Sequence, residues 1–185
     1  VNGRARAVAI QPDGKIVLAG DFELELSNGA FVSDFTVARF NANGSLDLAF
    51  GGTGSGQVAT DIGGAFNSAS NVVLQPNGAI VVSGKANCSQ VGCDHTDVVR
   101  YAANGTLDAS FGNASPFATP GSLFLADADI PGLQAGRILA LGLDREGRLL
   151  VGGSIRVDGV AAELAFAARL TLQGDFDAGY CAAGG

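Results

Sequence analysis

The sequence contains no Met and no Trp, and it has one His and three Cys. The missing Met, absent even from position 1, predicts a processed chain or an excised fragment. The single His95 leaves no nucleophile–base set of the kind that covalent catalysis uses, and no GxSxG elbow or phosphate-binding loop occurs. The composition therefore argues against the common hydrolase and nucleotide-binding classes.

Charged residues are few, at 16%, and acidic ones prevail, with 18 Asp and Glu against 11 Lys and Arg. A net charge of −7 repels phosphate backbones, so nucleic acid is not expected as a partner. No apolar run approaches the roughly 18 residues that a membrane span needs. Because 47% of the residues are hydrophobic, the chain can still build a globular core.

Glycine is abundant, and part of it recurs in a repeated segment. QPDGKIVLAG at residues 11–20 returns as QPNGAIVVSG at 75–84 and more loosely as DREGRLLVGG at 144–153. Each copy predicts a β-hairpin, because Pro presets φ at the turn of the first two copies and a glycine can close it with positive φ. The turn glycines are Gly14, Gly78 and Gly147.

A second pattern follows each hairpin. In the first unit a third strand is predicted at 35–40 after a looser connection over 21–33, then a turn NANG, the segment LDLAFG and an outer strand at 57–61. The same order returns twice, which predicts an all-β fold of three four-stranded repeat units forming a partial, open-arc β-propeller. We place the units at 1–64, 65–133 and 134–185, the last lacking its outer strand.

These paired motifs resemble the bacterial delta-60 repeat. QPDGKIVLAG followed by DFTVARFNANGSLDLAFG carries the resemblance; the first two copies match closely, and the third departs in its turns. The resemblance implies a β-propeller in large bacterial proteins that are often exported or attached to the surface, and it implies no activity.

One Arg and one Asp recur in every unit, always eight residues apart. In a hairpin with a four-residue turn, this spacing brings the two side chains within reach on one face. Recurrence in every unit favours a structural pair in each repeat over a ring of charges lining a channel. The pairs are Arg39 and Asp47, Arg100 and Asp108, and Arg169 and Asp177.

The cysteines predict a local disulfide. Cys88 and Cys93 lie five residues apart in a loop of the second unit, and their bond would indicate an oxidising compartment. A zinc site would need Asp94, His95 or the distant Cys181 as further ligands and is disfavoured. The segment DADIPG at 127–132 begins like a calcium loop, but a Pro stands at a ligand position. We predict no metal and no cofactor.

Two function hypotheses remain open. The favoured one is a non-catalytic β-propeller module of an exported or surface bacterial protein, used for scaffolding or for binding. The alternative is part of a lactonase-like or hydrolase-like propeller enzyme with a carboxylate-held metal in its channel. Since a ring typically needs four to eight blades, the partners expected are further propeller repeats or a second copy of the chain.

Overall fold

The computed structural model describes residues 3–63, 66–87, 94–112, 121–124, 133–157, 159 and 162–180. Eleven β-strands lie in this described part of the chain, and these residues contain no helix. The strands are β1 (Gly3–Ile10), β2 (Ile16–Glu25), β3 (Phe31–Phe40), β4 (Gln57–Thr60), β5 (Phe66–Leu74), β6 (Ile80–Asn87), β7 (Asp94–Tyr101), β8 (Ser122–Phe124), β9 (Leu133–Leu143), β10 (Leu149–Val157) and β11 (Leu164–Arg169).

The strands form three successive antiparallel units. In the first, β1, β2, β3 and β4 pair in chain order, and in the second β5, β6, β7 and β8 do the same. The third unit pairs β9, β10 and β11. A single parallel bridge between Ser33 and Phe66 joins the first two units. The all-β, open-arc propeller fold is thereby confirmed, while the unit boundaries stay a prediction.

Each hairpin closes as its sequence requires. In the first, the amide of Gly14 donates to the carbonyl of Gln11 at 2.8 Å while Gly14 has a φ of 82°. A side chain disfavours this left-handed conformation, which is why the turn carries glycine. Gly78 and Gly147 hold the same position in the other units, with φ values of 85° and 79°.

A β-bulge interrupts the first strand of every unit. The pairing register skips Arg6 in β1, Ser70 in β5 and Leu139 in β9. Beside the first bulge, a Cβ placed on Gly20 would lie only 1.7 Å from the carbonyl oxygen of Arg4. The glycine that ends each repeated hairpin segment is therefore required by this close approach of two backbones.

The core lies between the units rather than within one of them. Between the first and second units, residues such as Val17, Val37, Ile80 and Val99 are fully buried. A second cluster between the second and third units includes Val81, Val98, Leu149 and Leu170. Each sheet therefore contributes one apolar face to each neighbour, as blades of a propeller do.

One expectation about the first unit was wrong. The looser connection predicted over residues 21–33 is largely strand, because β2 continues to Glu25 and β3 starts at Phe31, and a tight turn at Leu26–Ala30 joins them. Near the hairpin tip, apolar and polar residues do not alternate regularly along the strands. The sequence pattern therefore underestimated the length of both strands.

Candidate functional site: contacts between repeats and a rim cavity

The recurrent Arg and Asp form an ion pair in every unit. In the first, Nε of Arg39 lies 2.8 Å from Oδ2 of Asp47, and the guanidinium stacks 4.6 Å from the centre of the Phe50 ring. The second unit repeats this arrangement with Arg100, Asp108 and Phe111, with a ring distance of 4.5 Å. The turn between the two positions places both side chains on one face of the hairpin.

The same arginines also reach the following unit. Nη1 of Arg39 donates to the carbonyl oxygen of Ala103 at 2.6 Å, and Nη1 of Arg100 donates to that of Leu172. Ala103 and Leu172 occupy the same position in the turns of their units. Each of these arginines therefore joins its own Asp to the turn of the next unit.

Backbone bonds reinforce these contacts. The amide of Gly51 donates to the carbonyl of Asn104, and the amide of Gly112 donates to that of Gln173, both at 2.8 Å. The hydroxyls of Tyr101 and Thr60 add a buried hydrogen bond of 2.6 Å between the second unit and β4. The recurrent residues thus serve contacts between repeats as well as a pair within each repeat.

The third unit holds its Arg differently. Nε and Nη2 of Arg169 lie 2.9 and 2.8 Å from Oδ2 of Asp177, and the guanidinium stacks 4.9 Å from the ring of Tyr180. Its Nη1 lies 3.8 Å from Oδ2 of Asp144. The side chain of Arg169 is 21% exposed, against 10% for Arg39 and 9% for Arg100.

These contacts favour the ionised form of the recurrent carboxylates. Hydrogen bonds from Lys15 and then from Arg39 lower the pKa of Asp47, with Lys15 Nζ at 2.8 Å. The hydroxyl of Ser110 and the charge of Arg100 lower the pKa of Asp108. In the third unit, the hydrogen bond from Arg169 lowers the pKa of Asp177. The contributions of Lys15 and Ser110 were not expected from the sequence.

Other predicted residues lie outside this part of the chain. Cys88, Cys93, Cys181, Asp127 and Asp129 fall outside the described residues, so the disulfide stays a prediction. Among the residues that the structure does describe, no group of three or more His, Cys, Asp or Glu side chains is placed to hold a metal ion. In the same part of the chain, no helix is long and apolar enough to cross a membrane.

A polar cavity of about 230 Å³ opens between the first two units, at the end of the strands away from the repeated hairpin turns. We call it the rim cavity. Asp21 is one of its lining residues and accepts hydrogen bonds from Arg6 Nε at 2.6 Å and from the hydroxyl of Ser68 at 2.9 Å. The lining residues are Arg4, Arg6, Asp21, Glu23, Ser33, Phe66, Ser68 and Lys85.

The units differ at this cavity, although they agree at their hairpin turns. The position of Asp21 carries Lys85 in the second unit and Ser154 in the third. The bulged positions likewise hold Arg6, Ser70 and Leu139. Sequence reasoning considered the strands next to the turns, which are apolar in all units, and so missed this divergence. The signal lay just beyond the glycine that ends each repeated segment.

The comparisons with known proteins agree with this geometry. Residues 11–50 and 75–111 match a family described as "Domain of unknown function (DUF5122) beta-propeller". No curated protein matches the chain in sequence. The matched segments cover the hairpin turn, the two strands after it and the Arg–Asp pair of the first and second units. The chain is thus a β-propeller repeat protein, similar over its first two units to a β-propeller domain family of unknown function.

Proposed function

We propose that this chain is a non-catalytic β-propeller repeat module of an exported or surface bacterial protein, and that it acts in scaffolding or in binding. In scaffolding, its partners are further propeller repeats or a second copy of the chain. In such a module the recurrent charged residues have a structural role, and a ligand binds at positions where the units differ.

One observation carries the proposal: Arg39 and Arg100 are engaged in contacts between repeats. Each donates to an Asp of its own unit and to a carbonyl of the next unit, and each is nearly buried. A group held in this way is not available to a substrate. Such contacts support assembly of a rigid array, which is the usual role of recurrent residues in repeat proteins.

A calcium titration separates this proposal from the enzyme alternative, in which carboxylates hold a metal. We expect isothermal titration calorimetry to give no saturable heat with Ca²⁺ and the melting temperature to stay unchanged. Mg²⁺ at equal ionic strength is the control for general screening of the acidic surface. A saturable, stoichiometric heat for Ca²⁺ would support the alternative and overturn the non-catalytic assignment.

For binding, the rim cavity is the favoured place because it combines volume with polar residues that are not repeated. Its lining includes the guanidinium groups of Arg4 and Arg6 beside the carboxylates of Asp21 and Glu23. The side chain of Arg4 is 61% exposed, and its nearest carboxylate oxygen, on Glu23, is 4.0 Å away. We therefore propose a carboxylate-bearing ligand.

Titration with trigalacturonate, and with neutral trigalactose as the control, tests the cavity. We expect saturable heat for the acidic sugar alone and its loss in Arg4→Ala. Arg156→Ala is the matched control, because Arg156 is an exposed Arg, 55% by side chain, that pairs with Glu163 away from the cavity. Equal heats for the wild type and Arg4→Ala would refute binding at this site.

A further inference from the structure

The contact between repeats has two halves, and the structure shows it assembled twice. We call the face that a unit turns toward the preceding unit its near face and the opposite face its far face. In the second unit, the near-face residues Ile80, Val82, Val99 and Tyr101 are all fully buried against the first unit. An assembled contact thus leaves no apolar side chain of this set exposed to water.

The first unit presents the same near face without a cover. By strand register, Ile16, Leu18, Ala38 and Phe40 correspond to the four buried residues of the second unit, and each is only half-buried. On the adjoining β1, Val8 is 63% exposed and Ile10 is 70% exposed, whereas their counterparts Val72 and Leu74 pack against the core. The near face of the first unit is therefore a continuous apolar surface facing solvent.

The turn beside this face is open as well. In the second unit a Cβ on Gly105 would lie 2.8 Å from the ring of Phe50, and in the third a Cβ on Gly174 would lie 2.9 Å from Phe111. At the equivalent Gly44, such an atom would meet nothing within 4 Å. The first turn thus has the geometry that receives an aromatic ring of another unit, and no atom of the described residues occupies the place.

The far face of the third unit supplies the other half. Arg169 and Tyr180 repeat the stacked pair that the first two units insert against a following turn, and Tyr180 is 42% exposed. On the sheet beside them, Ala165 and Ala167 are exposed, although Val37 and Val98, the counterparts of Ala167, are fully buried. This face offers a guanidinium, a ring and a surface of small residues.

We propose that the far face of the third unit docks on the near face of the first unit of a second copy of this chain. Arg169 donates to the carbonyl of Ala42 in that copy, and Tyr180 packs against its Gly44, as Arg39 and Phe50 do with Ala103 and Gly105. The inference rests on the proposed module function, because it names the partner of that module.

A second copy fits because each chain carries both halves of the contact. Two chains related by a two-fold axis make the contact twice and leave neither end face exposed. The pair then contains six units, within the range of four to eight that closes a propeller. If two chains made the contact only once, each would keep one apolar end face in water. Those faces would bind further chains and produce larger assemblies.

Charged substitutions on the two end faces test the contact. Ile10→Glu places a carboxylate on the near face and Ala167→Glu places one on the far face. Both positions are exposed in the single chain, so folding is not expected to change. Val8→Glu is a second near-face variant, and Leu26→Glu, at the β2–β3 hairpin tip, is the control for adding one charge to an exposed apolar position.

Light scattering coupled to gel filtration gives the mass of each form. We expect twice 18.5 kDa for the wild type and for Leu26→Glu, and 18.5 kDa for Ile10→Glu and Ala167→Glu alone. Mixing these two variants should restore a pair through one unaltered contact, between the far face of the first and the near face of the second, while the other contact carries both carboxylates and stays open. Restoration on mixing is specific to a head-to-tail contact.

A wild type of 18.5 kDa would overturn the second copy as partner, yet the calcium and rim-cavity results would stand, since neither depends on pairing. Pairing that survives both face variants, or that Leu26→Glu abolishes equally, would place the contact elsewhere. Failure of the two variants to pair on mixing would refute the head-to-tail arrangement. Circular dichroism melts confirm that every variant compared is folded.

Discussion

Arg100 crosses from the second unit to the third: its Nη1 donates a hydrogen bond to the backbone carbonyl of Leu172, a residue 72 positions further along the chain. The same guanidinium donates Nε to Asp108 at 2.8 Å and stacks on Phe111. One side chain thereby joins a turn, an aromatic ring and the neighbouring repeat. Substitutions here should act on the contact between units as well as on the second unit itself.

Asp108→Ala should lower the melting temperature. It leaves the nearly buried Arg100 without its carboxylate, a loss of about 1–3 kcal/mol, or a few degrees for a chain of this size. Differential scanning calorimetry measures the change. Asp175→Ala, which removes an exposed carboxylate two positions before Asp177, is the control and should change little. An unchanged melting temperature in Asp108→Ala would show that the recurrent pair is not structural.

Arg100→Lys should destabilise the protein although it keeps the charge. A single ammonium cannot reproduce a planar group that bonds Asp108 and Leu172 while stacking on Phe111. We expect a loss of about 1–2 kcal/mol in urea unfolding. Arg156→Lys, at an exposed pair, is the matched control. Equal stability of Arg100→Lys and the wild type would mean that charge alone accounts for the role of Arg100.

Acid should weaken the fold through the recurrent carboxylates. Asp47, Asp108 and Asp177 have lowered pKa values, so each stabilises the folded state above pH about 4 and loses this effect as pH falls through its lowered pKa. Urea unfolding between pH 6 and pH 2 measures the slope. The slope should be smaller in Asp47→Asn. Burial raises the pKa of Asp34, which acts in the opposite direction, so Asp34→Asn should not reduce the slope.

Alkali should act through Tyr101. Burial raises the pKa of this phenol from 10.0 to about 12. A raised pKa means that its stabilising effect is complete below pH 10 and is lost as pH rises toward 12, by about 2–3 kcal/mol. Tyr101→Phe should be less stable at pH 7, because it loses the bond to Thr60, but should fall less between pH 10 and 12. Parallel stability curves for both proteins would contradict this assignment.

The cysteines provide a test of export. If Cys88 and Cys93 form a disulfide, protein directed to the periplasm should show one thiol open to alkylation by intact-mass analysis, that of Cys181. The same protein made in a reducing cytoplasm should show three. Cys88→Ser should leave two alkylatable thiols in the periplasmic product. Three free thiols in the wild-type periplasmic protein would remove the argument for an oxidising compartment.

The sequence alone determined the local parts of this molecule. Gly14 and its counterparts predict the hairpin turns, because a turn of this kind needs positive φ whatever surrounds it. The eight-residue spacing of Arg39 and Asp47 predicts their proximity, because a short turn fixes which residues share a face. The hairpin turns and the Arg–Asp proximity both depend on interactions within about ten residues of chain. Their recurrence in each unit allowed them to be recognised in the sequence.

Only the tertiary structure decided what lies between the units. That Arg39 also reaches Ala103, 64 residues away, depends on how one sheet stacks on the next, which no local pattern encodes. The bulge at Arg6 likewise depends on the pairing of β1 with β2, and the rim cavity lined by Asp21 depends on how the first two units lie side by side. Finally, Val8 and Ile10 have the same apolar pattern as Val72 and Leu74, which pack against the core, and the difference in exposure depends on which unit packs against each strand, not on the local sequence.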